Sequence, residues 1–399
     1  MGRPFFMLYI NCPSDAILYR EIGWKIYTIS TCYIDNIALW HVSNCKMNGV
    51  NKHGGIMRRV FLRIMLVISL LFVGLTQQAR AGTPVRIGYI PVLGSSALFV
   101  LDGEGWAKQA GLDLQLVRFG SGPQAIQALV SGRIDAYVAG VLPLLQARAH
   151  GVDVKVVASG SVEELELVAR GPLAQMVPEG QEGGLSAQVI KDGFAKFKQE
   201  QGHLPRVAAQ PAGSVPDIML RYWLQKRLDI AQPASVINIA GVDIDAAQQA
   251  FLAGAVDAAV LREPSLTVAK MRVPEARILA TGHDMLPDQP GSVLAIVKPT
   301  EVPWAKTLTG LFVKANTLVA QHPDEAAPFV RTALGGGMLK EEVLQKALVR
   351  SAQHFVSDPA RIVEGVRQLQ DFEVEQGLLR KAEPVDGLFD LEMWKQSQQ

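Results

Sequence analysis

From Val117 to Pro143 the chain reads VRFGSGPQAIQALVSGRIDAYVAGVLP, and its apolar and polar positions change period twice in that stretch. An apolar strand end (Leu114 to Phe119) meets a Gly-Ser-Gly turn, a helix opens at Pro123 and stops at Gly132, and a second strand (Ile134 to Ala139) runs into the turn Gly140 to Pro143. Proline in the first helical turn and glycine past the last one are the punctuation such a unit needs. The same order returns from Val236 to Pro264, where Ala128 to Ala136 lies over Ala250 to Ala258 at a constant offset of 122. Two such units predict two α/β lobes facing each other. Ligands of open parallel sheets sit beyond the carboxyl ends of the strands, so the lobes are expected to close on something small held between those turns.

The rest of the chain fits around these units. Val85 to Tyr89 is a first strand, Leu98 to Ala110 a helix stopped by Gly111, Leu112 to Phe119 a second strand and Leu144 to Ala149 a helix. Val152 to Ala158 is a near-continuous apolar run, as in a parallel sheet covered on both faces, and Leu165 to Arg170 is a further strand beyond the loop Ser159 to Glu164. Pro172 to Gly202 is poor in large apolar residues and reads as a surface insertion with one amphipathic helix, about Ala187 to Gln199. Pro205 to Ala209 resumes a strand and leads through Gln210 to Asp217 into a helix, Ile218 to Leu228. Arg277 to Ala280 and Ser292 to Val297 are short strands, and from Trp304 onward the pattern is helical, a tail predicted to return and pack on the first lobe. The resulting expectation is an α/β fold whose first lobe has two segments, 82–162 and 292–399, with the second lobe at 163–291.

The front differs from the remainder. Met57 to Ala81 carries Arg58, Arg59 and Arg63, then an apolar run from Ile64 to Leu75, then Ala79-Arg80-Ala81: the layout of a secretory signal peptide cleaved after Ala81. The competing membrane anchor is disfavoured, because a run this short spans about 18 Å against a bilayer core of about 30 Å. Residues 1–56 precede this signal and show no clear period, so they read as a non-native extension with Met57 as the true start. The overall charge of +1 hides an asymmetry: the first 81 residues hold nine of 39 Lys and Arg but three of 38 Asp and Glu, leaving 30 basic against 35 acidic residues from Gly82, a net of −5. That excludes a basic nucleic-acid surface. All three cysteines, Cys12, Cys32 and Cys45, also lie in the front, so the mature chain is expected to have no disulfide, thiol nucleophile or cysteine-ligated metal.

Three turns share one construction: Gly120-Ser121-Gly122-Pro123, Gly140-Val141-Leu142-Pro143 and Gly213-Ser214-Val215-Pro216. Each sets a proline in the first helical turn and leaves amide groups at the positive end of a helix, which suits a carboxylate, sulfonate, nitrate or phosphate even without a basic side chain. Ordinary helix capping is the alternative for any one of them. Arg262 follows an apolar strand and precedes Pro264, which places it either at the cleft or in a surface pair with Glu263 or Glu301. Glu163 and Glu164 read as a solvated loop, and Gly103-Glu104-Gly105 falls inside a helix, where it has no dinucleotide meaning. No Gly-Lys-Ser/Thr loop, no Gly-x-Ser-x-Gly elbow and no His pair at metal spacing occurs from Gly82 onward, so no catalytic residue, cofactor or metal is expected.

Val85 to Pro91, Phe119 to Gly122, Ala128 to Ala136, Gly151 to Ala158 and Val256 to Pro264 resemble the nitrate/sulfonate/taurine-type solute-binding proteins of ABC importers. The resemblance covers most of Val85 to about Trp304 and implies a two-lobed periplasmic-binding-protein fold of the second type, a hinge near Ser159 to Leu165 and Gly291 to Leu294, a periplasmic location, a monomer, and an inner-membrane permease with its ATPase as partners. It also implies ligand contacts at Leu93, Gly94 and Ser95, at Phe119, Gly120 and Ser121, at Gly140 and Val141, at Gly213, Ser214 and Val215, and at Glu263. Members usually carry an aromatic residue before the acid-Pro pair. Here Arg262 takes that place and adds itself to the candidates, pointing to a bulkier or more acidic solute. A related branch makes the thiamine pyrimidine with histidine and cysteine chemistry, which is the enzymatic alternative.

Overall fold

A computed structural model describes residues 82–335 and 339–399, and a separate short hairpin in which β1 (Thr31–Ile34) pairs antiparallel with β2 (Ile37–Trp40). The expected signal peptide and most of the expected extension lie outside the described residues. From Thr83 the strands are β3 (Thr83–Tyr89), β4 (Leu112–Arg118), β5 (Ala136–Gly140), β6 (Val154–Ser159), β7 (Glu166–Ala169), β8 (Arg206–Ala209), β9 (Asn238–Gly241), β10 (Ala258–Leu261), β11 (Arg277–Ala280) and β12 (Ser292–Val297). They form two five-stranded sheets, ordered β4-β3-β5-β12-β6 and β9-β8-β10-β7-β11. Counting the parallel strands alone, in both sheets the second lies at the edge beside the first, the first lies beside the third, and one antiparallel strand is wedged next to the third.

Each antiparallel wedge enters its sheet directly after the chain has crossed from the other: β7 follows β6, and β12 follows β11. The two crossings run side by side, with Gly160 N donating to Ser292 O at 2.7 Å, Glu163 N to Gln289 O at 2.8 Å and Gly291 N to Ser161 O at 3.2 Å. The central strands β5 and β10 are buried along their whole length, because helices cover both faces.

The repeat at offset 122 has a physical cause. Asp135 accepts from the backbone N of Arg86 at 2.9 Å, from its Nε at 2.9 Å and from its Nη2 at 2.6 Å. Asp257 accepts from the same three groups of Arg206 at 2.8, 3.1 and 3.1 Å. Each aspartate also donates its own N–H to the carbonyl of that arginine, so each fastens the start of a third strand to the first.

Several elements depart from the sequence expectation. The helix expected over Leu98 to Ala110 is two pieces, Ser96–Gly103 and Trp106–Gln109, because Gly105 adopts φ 70° and breaks the ladder. Gly103-Glu104-Gly105 is therefore the break itself. The helix opened at Pro216 ends its α-form at Tyr222 and widens into a π-turn over Trp223–Arg227. The expected insertion carries the helix Ala187–Gln201, which buries Ile190, Phe194 and Phe197 in the core, at about 1.5–3 kcal/mol each. The helical tail packs on the first lobe through Ala305–Gln321 against Ser96–Gly103, and it also reaches the second. There Phe372 meets Tyr222 edge-on at 5.5 Å, and Glu375 pairs with Lys226 at 2.6 Å.

Candidate functional site

The loops that follow the parallel strands of the two lobes meet. Leu93 N donates to Glu263 O at 3.0 Å, and Ile244 N to Gly120 O at 3.3 Å. A Cβ on Gly140 would lie 2.6 Å from Val215 Cγ2, one on Gly120 would lie 2.9 Å from Asp243 Oδ2, and one on Gly213 would lie 2.7 Å from Gln146 Nε2. Glycine at these three positions lets the lobes approach this closely. Gln124 adds a bridge, its Nε2 3.1 Å from both carboxyl oxygens of Asp243.

Not every amide expected to be free is free. Gly120 N donates to Gln124 Oε1 at 3.1 Å and Gly213 N to Asp217 Oδ2 at 3.3 Å, so both turns are partly capped by their own helices. Ser214 Oγ accepts from Asp217 N at 3.4 Å, and Ser95 Oγ donates to Ile90 O at 2.8 Å. Phe119 is turned into its own lobe, its ring 3.0 Å from where a Cβ on Gly88 would sit, and Val141 is core. Ser121 is different: its hydroxyl is fully buried with no hydrogen-bond partner among the described residues. Beside it, the Tyr137 hydroxyl donates to Gly140 O at 2.8 Å and holds that turn. Burial pushes the Tyr137 phenol far up, and the charge of Arg262, arriving from the other lobe, opposes the shift.

Arg262 and the acidic loop were read differently from sequence. Arg262 is 3% exposed and pairs neither with Glu263 nor with Glu301 but with Glu164, whose side chain is 9% exposed. The expected solvated loop is thus half of a buried ion pair, because β7 and β10 are antiparallel neighbours and bring their flanking residues together. Ser161 Oγ donates to Glu164 at 2.5 Å and Ser292 Oγ at 3.2 Å, while Arg262 Nε has no partner among the described residues. Glu263, joined to Pro264 by a cis bond, accepts from Thr267 N at 2.9 Å and Thr267 Oγ1 at 2.8 Å. Its burial pushes the carboxyl up, against the pull of those hydrogen bonds.

These groups surround a cavity of about 20 Å³, room for one water-sized molecule, lined by Leu93, Gly94, Arg262 and Glu263 among the expected residues. Ser161, Glu164, Ser351, His354 and Phe355 complete it and were missed. The last three come from the tail, which carries no motif; Ser161 and Glu164 lie within the expected hinge, Ser159 to Leu165, the one signal that pointed to them. Among the described residues no three His, Cys, Asp or Glu are grouped to hold a metal. Ser161 at the cavity and Ser292 beside it both donate to the Glu164 carboxylate, an arrangement that holds charge in place. A larger hollow of about 330 Å³ opens nearby on Glu166, Glu182, His283 and Arg350. Its charges are paired with one another, Arg350 with Glu166 at 2.5 Å and with Glu182 at 2.8 Å.

The NMT1-like family model matches residues 78–330. A relative described as a binding protein of Brucella abortus is 27% identical over 271 residues, 67% of this chain and 69% of its own length. An aliphatic sulfonates-binding protein of Bacillus subtilis is 24% identical, covering 85% of this chain and 87% of its own. Among solved structures, the periplasmic nitrate-binding protein NrtA of Synechocystis PCC 6803 superposes with a TM-score of 0.65 at 16% identity, covering 79% of this chain and 88% of its own, which shows a shared periplasmic-binding-protein fold. With the model match spanning more than half of the sequence and both sheets wound alike, the chain belongs to the NMT1-like family.

Proposed function

We propose that this chain is the periplasmic solute-binding component of an ABC importer. It captures one small anionic organic or inorganic solute between its lobes and delivers it, unaltered, to an inner-membrane permease and its ATPase. The lobes are 82–162 with 292–399, and 163–291; they swing about the paired crossings, and the protein acts as a monomer after cleavage behind Ala81. One observation carries this reading: two sheets of the same winding turn their strand-end loops toward each other, and a buried guanidinium with an unpartnered Nε stands at the junction. Opening by a hinge would expose that guanidinium, the Ser121 hydroxyl and the glycine turns together. The relatives named for binding sulfonates and nitrate support the solute class.

A thermal-shift screen of nitrate, alkanesulfonates, taurine, aromatic acids and thiamine precursors tests it. A ligand present at a hundred times its Kd raises stability by about 2.7 kcal/mol, well within reach of the method. Absence of any stabilising solute, or recovery of the bound compound in altered form, contradicts the proposal.

A further inference from the structure

The Glu164 carboxylate sits where a solute's acid group would have to bridge the lobes. From the second lobe it takes the Arg262 guanidinium; from the crossings and the first lobe it takes the Ser161 and Ser292 hydroxyls, Ser292 being the first residue of β12. Gly94 closes over it, since any Cβ there would collide with Glu164 Oε2 and Ser292 Oγ. Two of the residues expected to meet the solute, Gly94 and Arg262, are thus already in contact with an acid of the protein itself.

The remaining space, about 20 Å³, takes no oxyanion beside that carboxylate. Two like charges in one water-poor site also repel strongly. A solute anion must displace Glu164 from Arg262; it cannot join it. Resting on the solute-binding reading above, we propose that Glu164 is a specificity-determining residue: its carboxylate competes with the solute's acid group for Arg262 and Ser292, and only an anion with several acceptor oxygens, such as a sulfonate, displaces it. A halide, offering one contact, does not replace the arginine and serine interactions at once.

The test is calorimetric titration of wild type and Glu164→Gln with methanesulfonate, with methanesulfonamide as the uncharged control. Wild type is titrated in parallel with whichever solute stabilises it in the screen. Glu164→Gln is expected to bind methanesulfonate at least tenfold more tightly than wild type, with the sulfonamide unchanged. Ser161→Ala, which keeps the acid but loosens its hold, is expected to gain in the same direction by a smaller factor, and it carries the test if Glu164→Gln fails to fold. Wild type binding its solute while neither variant gains for methanesulfonate overturns the role of Glu164 alone. An equal gain for the sulfonamide overturns it too, because an uncharged ligand does not compete for Arg262 as an anion. Wild type and variants that bind nothing overturn both this inference and the solute-binding reading.

Discussion

Glu373 gives the sharpest account of how burial chemistry shapes this molecule. It lies on the helix Val363–Glu375, is fully buried, and neither carboxyl oxygen has a partner among the described residues. Burial, with the charge of Asp217 adding to it, pushes its pKa from 4.5 up to about 8. The folded protein therefore keeps a proton that the unfolded chain sheds, and stability is full below pH 4.5 and falls as pH rises to about 8. At ~1.4 kcal/mol per pH unit the whole interval is worth about 5 kcal/mol, and about 3 kcal/mol of it is already lost at pH 7. Glu373→Gln keeps the shape and removes the titration; whatever the buried amide costs is independent of pH, so the slope is the readout. Urea unfolding of both proteins at pH 5, 7 and 8.5 is expected to show wild type losing about 4 kcal/mol more than the variant across that range. Parallel stability profiles would refute the reasoning. The consequence reaches the cleft, because Asp217, beside Glu373, accepts the Gly213 N–H and steadies that turn.

Further outcomes follow from the same contacts. Asp135→Ala and Asp257→Ala, which remove matching clamps, should each cost about 1–2 kcal/mol in denaturant melts, and costs of very different size would break the equivalence of the lobes. Partial burial raises the Asp135 carboxyl, and Arg86 outweighs it and holds the pKa below its ordinary value, so this contribution is present above pH ~4 and is lost on further acidification. Arg262→Ala should abolish solute binding and also lower stability by about 3–5 kcal/mol, since it strands a buried Glu164; unchanged melting would show that the pair is not buried in solution.

The double winding of the fold was legible because it is written locally. Helices, glycine stops and buried strands repeat at a fixed offset, and the aspartate of each repeat fastens a strand through backbone contacts that any such unit needs. The glycines at the lobe contact were legible for the same reason. Glu164 was not, because an acid in a Ser- and Gly-rich loop looks solvated until the strand pairing that delivers Arg262 is known. Nor was the part played by Ser351, His354 and Phe355, which owe their place to a tail crossing behind the hinge: Val162 N donates to His354 O at 2.8 Å and Ser159 N to Ser357 O at 3.0 Å. The helix break at Gly105 depended on its left-handed backbone, which the sequence permits without requiring.

The central claim is that solute enters by separation of the lobes, and one engineered bond addresses it. A Cβ on Gly140 would stand 3.3 Å from Val215 Cβ, close to the 3.5–4.5 Å that a disulfide spans, and no cysteine occurs after Cys45. In a chain with Cys12, Cys32 and Cys45 changed to serine, Gly140→Cys with Val215→Cys is titrated with the screened solute before and after oxidation. Binding when reduced and none when oxidised is the expected result; equal binding in both states contradicts capture between the lobes.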